Sequence, residues 1–173
     1  MNWASIDPGA VRSGISIWDC DGRHKHTGDI MYAGAKDYCH LIDAIILNYK
    51  LYFAVIENFY FYRTGHGKNI SAYKVIGRIE TMQECFEHYI MLHHNQWNPH
   101  KAGDAVKKSL CIQAAGRAFS NEEQRDSYLI GEKVWQTVQM VAGADTFFRL
   151  MQLSQKQRKW PTANEPRPWL TKE

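Results

Sequence analysis

The stretch Trp3-Ala-Ser-Ile-Asp7-Pro-Gly-Ala-Val-Arg12-Ser-Gly-Ile-Ser-Ile-Trp18 decides how the chain is read. Trp3, Ala4 and Ile6 lead as a strand into a single carboxylate, Asp7. Pro8 fixes φ for a turn, and Gly9 supplies the permissive backbone that follows. Gly14-Ile-Ser-Ile-Trp18 alternates small or polar with apolar residues, the pattern of a half-buried second strand. A carboxylate ending a buried strand is costly unless something pairs with it. Two readings fit Asp7: the first residue of an Asp-Pro-Gly turn bonded to its own backbone, or an acid with a chemical task. The rest of the chain has to separate them.

Working outward, Asp21-Gly22 signals a hairpin, and His24 to Tyr32 reads as a third, antiparallel strand. Gly34 and Asp37 introduce a helix with Tyr38, Leu41, Ile42, Ile45 and Ile46 at helical spacing. Leu51-Tyr-Phe-Ala-Val-Ile56 is a β-rich run that ends in Glu57. A helical crossover favours a strand parallel to the first. The loop from Asn58 to Lys68 carries four consecutive aromatics, Phe59 to Tyr62. A helix is expected from Asn69 to about Tyr89, a short strand from Ile90 to Gln96, and a helix from Asp104 to Phe119. Ser120 and Asn121 are cap candidates for a last helix that opens at Glu122. The pattern predicts an α/β fold with a five-stranded mixed sheet, three antiparallel strands and then parallel ones, flanked by helices. Its first and fourth strands should be adjacent, which puts Asp7 and Glu57 side by side at their carboxyl ends.

The 173 residues, 45% hydrophobic and 13% aromatic, suit one globular domain with a proper core. The expected division is a domain over residues 1–153 and a basic, proline-containing tail over 154–173. No apolar run is long enough to span a bilayer, and no signal peptide is evident, so a cytoplasmic protein without membrane contact is expected. The four cysteines and eight histidines are scattered, without zinc-like spacing. A net charge of +3 permits a nucleic-acid partner without demanding one.

Two carboxylates at neighbouring strand ends repel unless a cation lies between them. Hard oxygen donors favour Mg²⁺ or Mn²⁺ over zinc. Such a site needs further acids, and Glu123 and Asp126 supply them from one face of the last helix. Ser127 and Gly131 lie on a similar face and are small enough to let that helix approach a sheet closely. Acids are also favoured in a helix's first turns by the macrodipole alone. Glu122 and Asp145 remain alternative ligands.

Ile-Asp7-Pro-Gly-x-x-x-x-Gly14, Val-Ile-Glu57 at a strand end and Glu123-x-x-Asp126-Ser-x-x-Ile-Gly131 together resemble the RuvC-type Holliday junction resolvases, of the ribonuclease-H-like nuclease fold. The third motif departs from the family's usual Asp-x-x-Asp-Ala: Glu123 stands for the first Asp and Ser127 for the Ala. The resemblance covers roughly Asn2 to Val134, and the compact size is similar to that of bacteriophage members. It implies a homodimer that cuts four-way or branched DNA by two-metal phosphodiester hydrolysis. Two Mg²⁺ or Mn²⁺ ions would be held by Asp7, Glu57, Glu123 and Asp126, with no organic cofactor. It also implies an aromatic wedge after Glu57, for which Tyr60 and Phe61 are the candidates.

Cations beside an acidic site suit a polyanion. Arg12, Arg63, Lys68, Lys74, Arg78, Lys107 and Lys108 are the candidate DNA contacts, although each alone could be ordinary solvated surface. Two other functions stay open. One is a catalytically silent protein of this fold that binds branched DNA. The other is an actin-like phosphotransferase, for which the chain is short.

Overall fold

The computed structural model describes residues 2–58, 70–98, 103–116 and 118–141. Five strands form one sheet: β1 (Asn2–Pro8), β2 (Arg12–Asp19), β3 (His24–Met31), β4 (Leu51–Asn58) and β5 (Tyr89–His93). Their spatial order is β3-β2-β1-β4-β5. β2 is antiparallel to both β1 and β3, whereas β4 runs parallel to β1 and to β5. The mixed sheet expected from the sequence is present, with the first and fourth strands adjacent. The helices are α1 (Ala35–Tyr49), α2 (Ile70–Cys85), α3 (His94–Trp97), α4 (Asp104–Ala115) and α5 (Glu122–Val141).

Alternation along each strand divides the core in two. Ala4, Ile6, Ile15, Ile17, Ala54 and Ile56 face one way and pack with Tyr38, Ile42 and Ile46 of α1 and with Val75, Ile79 and Met82 of α2. Trp3, Trp18, Phe53 and Val55 face the other way and meet Trp97, Cys111, Tyr128, Ile130 and Trp135 from α3, α4 and α5. The second strand is therefore covered on both faces rather than half-buried. Ser16, which alternation alone would send to solvent, is fully enclosed, as is Ser13 on the opposite face.

Of three differences from the sequence pattern, two have local causes. The strand expected to reach Gln96 stops at His93, where a capping box starts α3: the His93 side chain accepts from the backbone three residues on, and the Gln96 side chain accepts from the His93 N–H at 2.7 Å. α4 ends at Ala115 because Gly116 turns left-handed, with φ of 66°. α2 ends at Cys85, four residues before the expected limit. Among the described residues no helix is long and apolar enough to cross a membrane. The division into a domain over 1–153 and a tail beyond it falls mainly on residues outside those described.

α5 lies almost directly on the β1–β2 hairpin. A methyl group on Gly14 would overlap the Glu123 carbonyl and the Gln124 nitrogen, and one on Gly131 would enter the Trp18 indole. Between those points the contact is polar. Ser5 Oγ donates to the Ser127 carbonyl at 2.6 Å, Trp18 Nε1 donates to Ser5 Oγ at 2.8 Å, and the Ser16 and Ser127 hydroxyls share a hydrogen bond of 3.0 Å. Asn121 caps α5 by accepting from the Gln124 N–H at 2.8 Å, and its amide, with that of Gln124, donates to Asp29 on β3.

Gly14→Ala is expected to destabilise the fold by the upper part of about 1–3 kcal/mol, because backbone rather than a side-chain tip must give way. Gly77→Ala on α2, where a methyl group meets nothing within 4 Å, should instead stabilise by about 0.5–1 kcal/mol. Thermal denaturation of the two variants beside the parent checks both signs.

Candidate functional site

Asp7 and Glu57 stand at the carboxyl ends of adjacent parallel strands. The β1–β4 register pairs Ile6 with Ile56, so the next residue on each strand brings the two acids together. Both occupy odd positions, in phase with Trp3, Phe53 and Val55, and so face the α5 side of the sheet. Their side chains are in hydrogen-bond contact. Burial, then the charge of Glu57 and the hydrogen bond to it, and then the charges of Asp126 and Glu123 push the Asp7 carboxyl well above the usual carboxylate range. The four acids singled out in the sequence thus act on one point.

They are not equally compensated. Glu57 Oε1 accepts from His94 Nδ1 at 2.7 Å and from Trp97 Nε1 at 3.0 Å. Asp126 is buried, with Lys107 Nζ 2.6 Å from Oδ2 and Arg125 Nε 2.8 Å from Oδ1. Glu123 leans over the turn after Asp7, where a methyl group on Gly9 would press on its Cγ and Oε1. Glu122 is exposed, and Asp145 lies outside the described residues.

The donor set suits a hard divalent cation, and the Asp7–Glu57 pair is where the fit is best. Two partly buried acids in mutual contact hold their charge poorly without a cation. Asp126 fits less well, since Lys107 and Arg125 already neutralise it. Among the described residues no three Asp, Glu, His or Cys side chains converge as a finished ligand set. Glu123 and Asp126 act on Asp7 through their charge, and Glu57 through both its charge and a hydrogen bond.

The basic candidates divide by burial. Lys74 and Lys108 are exposed, and Arg12 is partly exposed on the hairpin turn with its guanidinium 3.9 Å from Asp29. Two candidates need correction as surface contacts. Arg78 is 3% exposed; it donates to the Gly9 carbonyl and lies 4.4 Å from the centre of the Tyr32 ring. The α2 face that carries Arg78 turns toward the hairpin, one helical turn from outward-facing Lys74. Lys107 is 7% exposed and is committed to Asp126 and to the Trp97 ring, 4.8 Å away. Tyr60, Phe61, Arg63 and Lys68 lie outside the described residues.

His94, Trp97 and Arg125 were missed from the sequence. His94 read as part of the strand expected to end at Gln96, with Trp97 just beyond it, and alternation would have separated His94 from its neighbour rather than aimed it at Glu57. Arg125 is adjacent to Asp126 in sequence, and that adjacency was the legible signal of its bond to the carboxylate.

Solved structures share this fold. Thermus thermophilus RuvC in complex with a Holliday junction substrate superposes with a TM-score of 0.61 at 19% identity, covering 82% of this chain and 96% of that one. A second T. thermophilus RuvC structure gives 0.58 at 17% identity, covering 83% and 99%. The fowlpox virus Holliday junction resolvase gives 0.53 at 13% identity, covering 79% and 99%. No protein-family model and no curated protein sequence matches the chain. The fold is RuvC-like and ribonuclease-H-like, as the three sequence motifs implied.

Asp7 carries a pH prediction. Its folded pKa lies above the unfolded value near 3.9, so the native state binds the extra proton between the two. The stabilisation it gives is complete below the unfolded value and is lost as pH rises through the folded one. In EDTA the melting temperature should fall across that window, and Asp7→Asn should flatten the fall. Added Mg²⁺ should raise the melting temperature of the parent and leave that of Asp7→Asn nearly unmoved. Calorimetric scans with and without the metal measure all of these.

Proposed function

We propose that the protein is a structure-specific endonuclease that resolves four-way or branched DNA junctions. The observation that carries the reading is Asp7 in contact with Glu57 at adjacent strand ends, with Glu123 and Asp126 near enough to disfavour its charge. The RuvC-like fold supports the same reading, since two of the similar structures hold Holliday junction DNA.

In this reading Asp7 and Glu57 hold Mg²⁺ or Mn²⁺, with Glu123 and Asp126 completing positions for two ions. The ions would supply an activated water and stabilise the leaving oxygen of a phosphodiester. The chain's own residues do the positioning. β1 and β4 present two carboxylates from rigid strands. Arg78 fixes the turn after Asp7 through the Gly9 carbonyl. Arg12, Lys74 and Lys108 offer cations to the DNA backbone. A homodimer would place two such sites for paired cuts.

A second reading has its own support. Asp126 is already neutralised by Lys107 and Arg125, and among the described residues the ligand set is unfinished. Both features suit a protein that binds branched DNA without cutting it.

Asp7→Asn and Glu57→Gln should each reduce cleavage of a labelled four-way junction in Mg²⁺ to background while the gel shift of that junction persists. Cutting at the parent rate would overturn the assignment. A parent protein that shifts the junction but cuts neither it nor a flap in Mg²⁺ or Mn²⁺ would establish the binding reading instead.

A further inference from the structure

α3 is four residues long, yet two of its side chains end on the same atom of the candidate site. His94 Nδ1 and Trp97 Nε1 both meet Glu57 Oε1, at 2.7 and 3.0 Å. Neither nitrogen can serve this purpose by accident of exposure alone. Trp97 is 6% exposed, and an indole N–H buried that deeply requires an acceptor. The His94 ring is held from its other side as well. Asn98 Nδ2 lies 3.2 Å from His94 Nε2, so the amide donates there and the proton rests on Nδ1, toward Glu57. The two rings also meet edge to face, with centroids 5.0 Å apart.

The same indole touches the other compensated acid. Lys107 Nζ lies 4.8 Å from the centre of the Trp97 ring and 2.6 Å from Asp126 Oδ2. A cation over an aromatic face is drawn to it, and this one is simultaneously bound to the carboxylate. Trp97 therefore uses its edge for the acid on β4 and its face for the cation that holds the acid on α5. The capping box at His93 and the Asn98 N–H bonded to the His94 carbonyl at 2.8 Å fix the short helix itself. With Oε1 occupied by two donors, Glu57 has its other oxygen left for Asp7 or for a cation.

We propose that His94 and Trp97 are positioning residues: they orient Glu57 through Oε1, and the Trp97 ring sets Lys107 against Asp126, so α3 ties together two acids that arrive on separate elements. This rests on the metal-site reading given above. Partners that orient a ligating carboxylate commonly change metal affinity by about 10–100-fold when removed.

The test is Mn²⁺ binding, followed by loss of the free Mn²⁺ spin-resonance signal, on the full chain without DNA. His94→Ala should weaken binding about 10-fold, and His94→Asn, whose amide can replace the Nδ1 donor, should recover most of it. Trp97→Phe removes the N–H but keeps a ring face, and should also weaken binding about 10-fold. Trp97→Leu removes the face under Lys107 too and should lose more. The melting temperature in EDTA should stay close to the parent's for His94→Ala, because that side chain is about half exposed. Parent-like Mn²⁺ affinity in His94→Ala and Trp97→Phe would overturn the positioning role while leaving the metal site standing. Equal losses in Trp97→Phe and Trp97→Leu would overturn the part given to the ring face. A parent protein that takes up no Mn²⁺ would overturn the metal-site reading and this proposal together.

Discussion

Helix α5 can rest on the β1–β2 hairpin because the contact is lined by residues with almost no side chain. Gly14 admits the Glu123 backbone, Gly131 admits the Trp18 ring, and Ser5, Ser16 and Ser127 fill the space between with hydroxyls bonded to one another and to the helix backbone. Carboxylate side chains are short. A helix held off by one larger residue would leave Glu123 and Asp126 too far from β1 to act on Asp7. The close approach also removes water from that face, which makes every charge there dearer. Asn121 and Gln124, bonded to Asp29 on β3, hold the acid-bearing end of α5 at this distance.

That proximity creates an electrostatic problem, and the chain answers it unevenly. Asp126 has a lysine on one oxygen and an arginine on the other. Glu57 has two ring nitrogens on a single oxygen, His94 Nδ1 and Trp97 Nε1, which steady its geometry. Asp7 has acids on several sides, and its carboxyl is driven toward the protonated form by burial first and by those acids next. A buried charge is tolerated when it is paired and hydrogen-bonded. The compensation is thus sufficient at the α5 end and thin at the strand ends, and that gradient supports a cation at Asp7 and Glu57.

The parts of the site that depend on backbone periodicity were legible in the sequence. Asp7 and Glu57 each end a strand, so period-2 alternation and one crossover suffice to bring them together. Glu123 and Asp126 were legible through their one-turn spacing and through Ser127 and Gly131, whose smallness announces a close contact. What escaped were side chains whose role depends on which element happens to lie opposite. Lys107 and Arg78 read as surface cations because lysine and arginine usually are, and only the tertiary arrangement turns them inward. His94 was hidden for a different reason. A residue at a strand end changes direction completely if the next turn is helical, and the capping box that makes α3 helical pairs the usual Gln, Gln96, with an unfamiliar N-cap, His93.

The turn after Asp7 shows how these two kinds of information combine. Pro8 and Gly9 mark it in the sequence as a tight reversal, but its rigidity comes from above and below. Glu123 leans on Gly9 from α5, while Arg78 donates to the Gly9 carbonyl from α2, its guanidinium against Tyr32. A guanidinium buried this far loses much of its hydration, and burial lowers its pKa accordingly. That cost is accepted on the opposite side of the sheet from α5, directly beneath the strand end that carries Asp7. The fold explains why the residues at these two strand ends stand side by side, because register and alternation set their positions. It does not explain the balance of charge around them, which rests on single side chains such as Arg78, Lys107 and His94. Position is a property of the fold, whereas the readiness of the acids to hold a cation is a property of this chain's own neighbours to them.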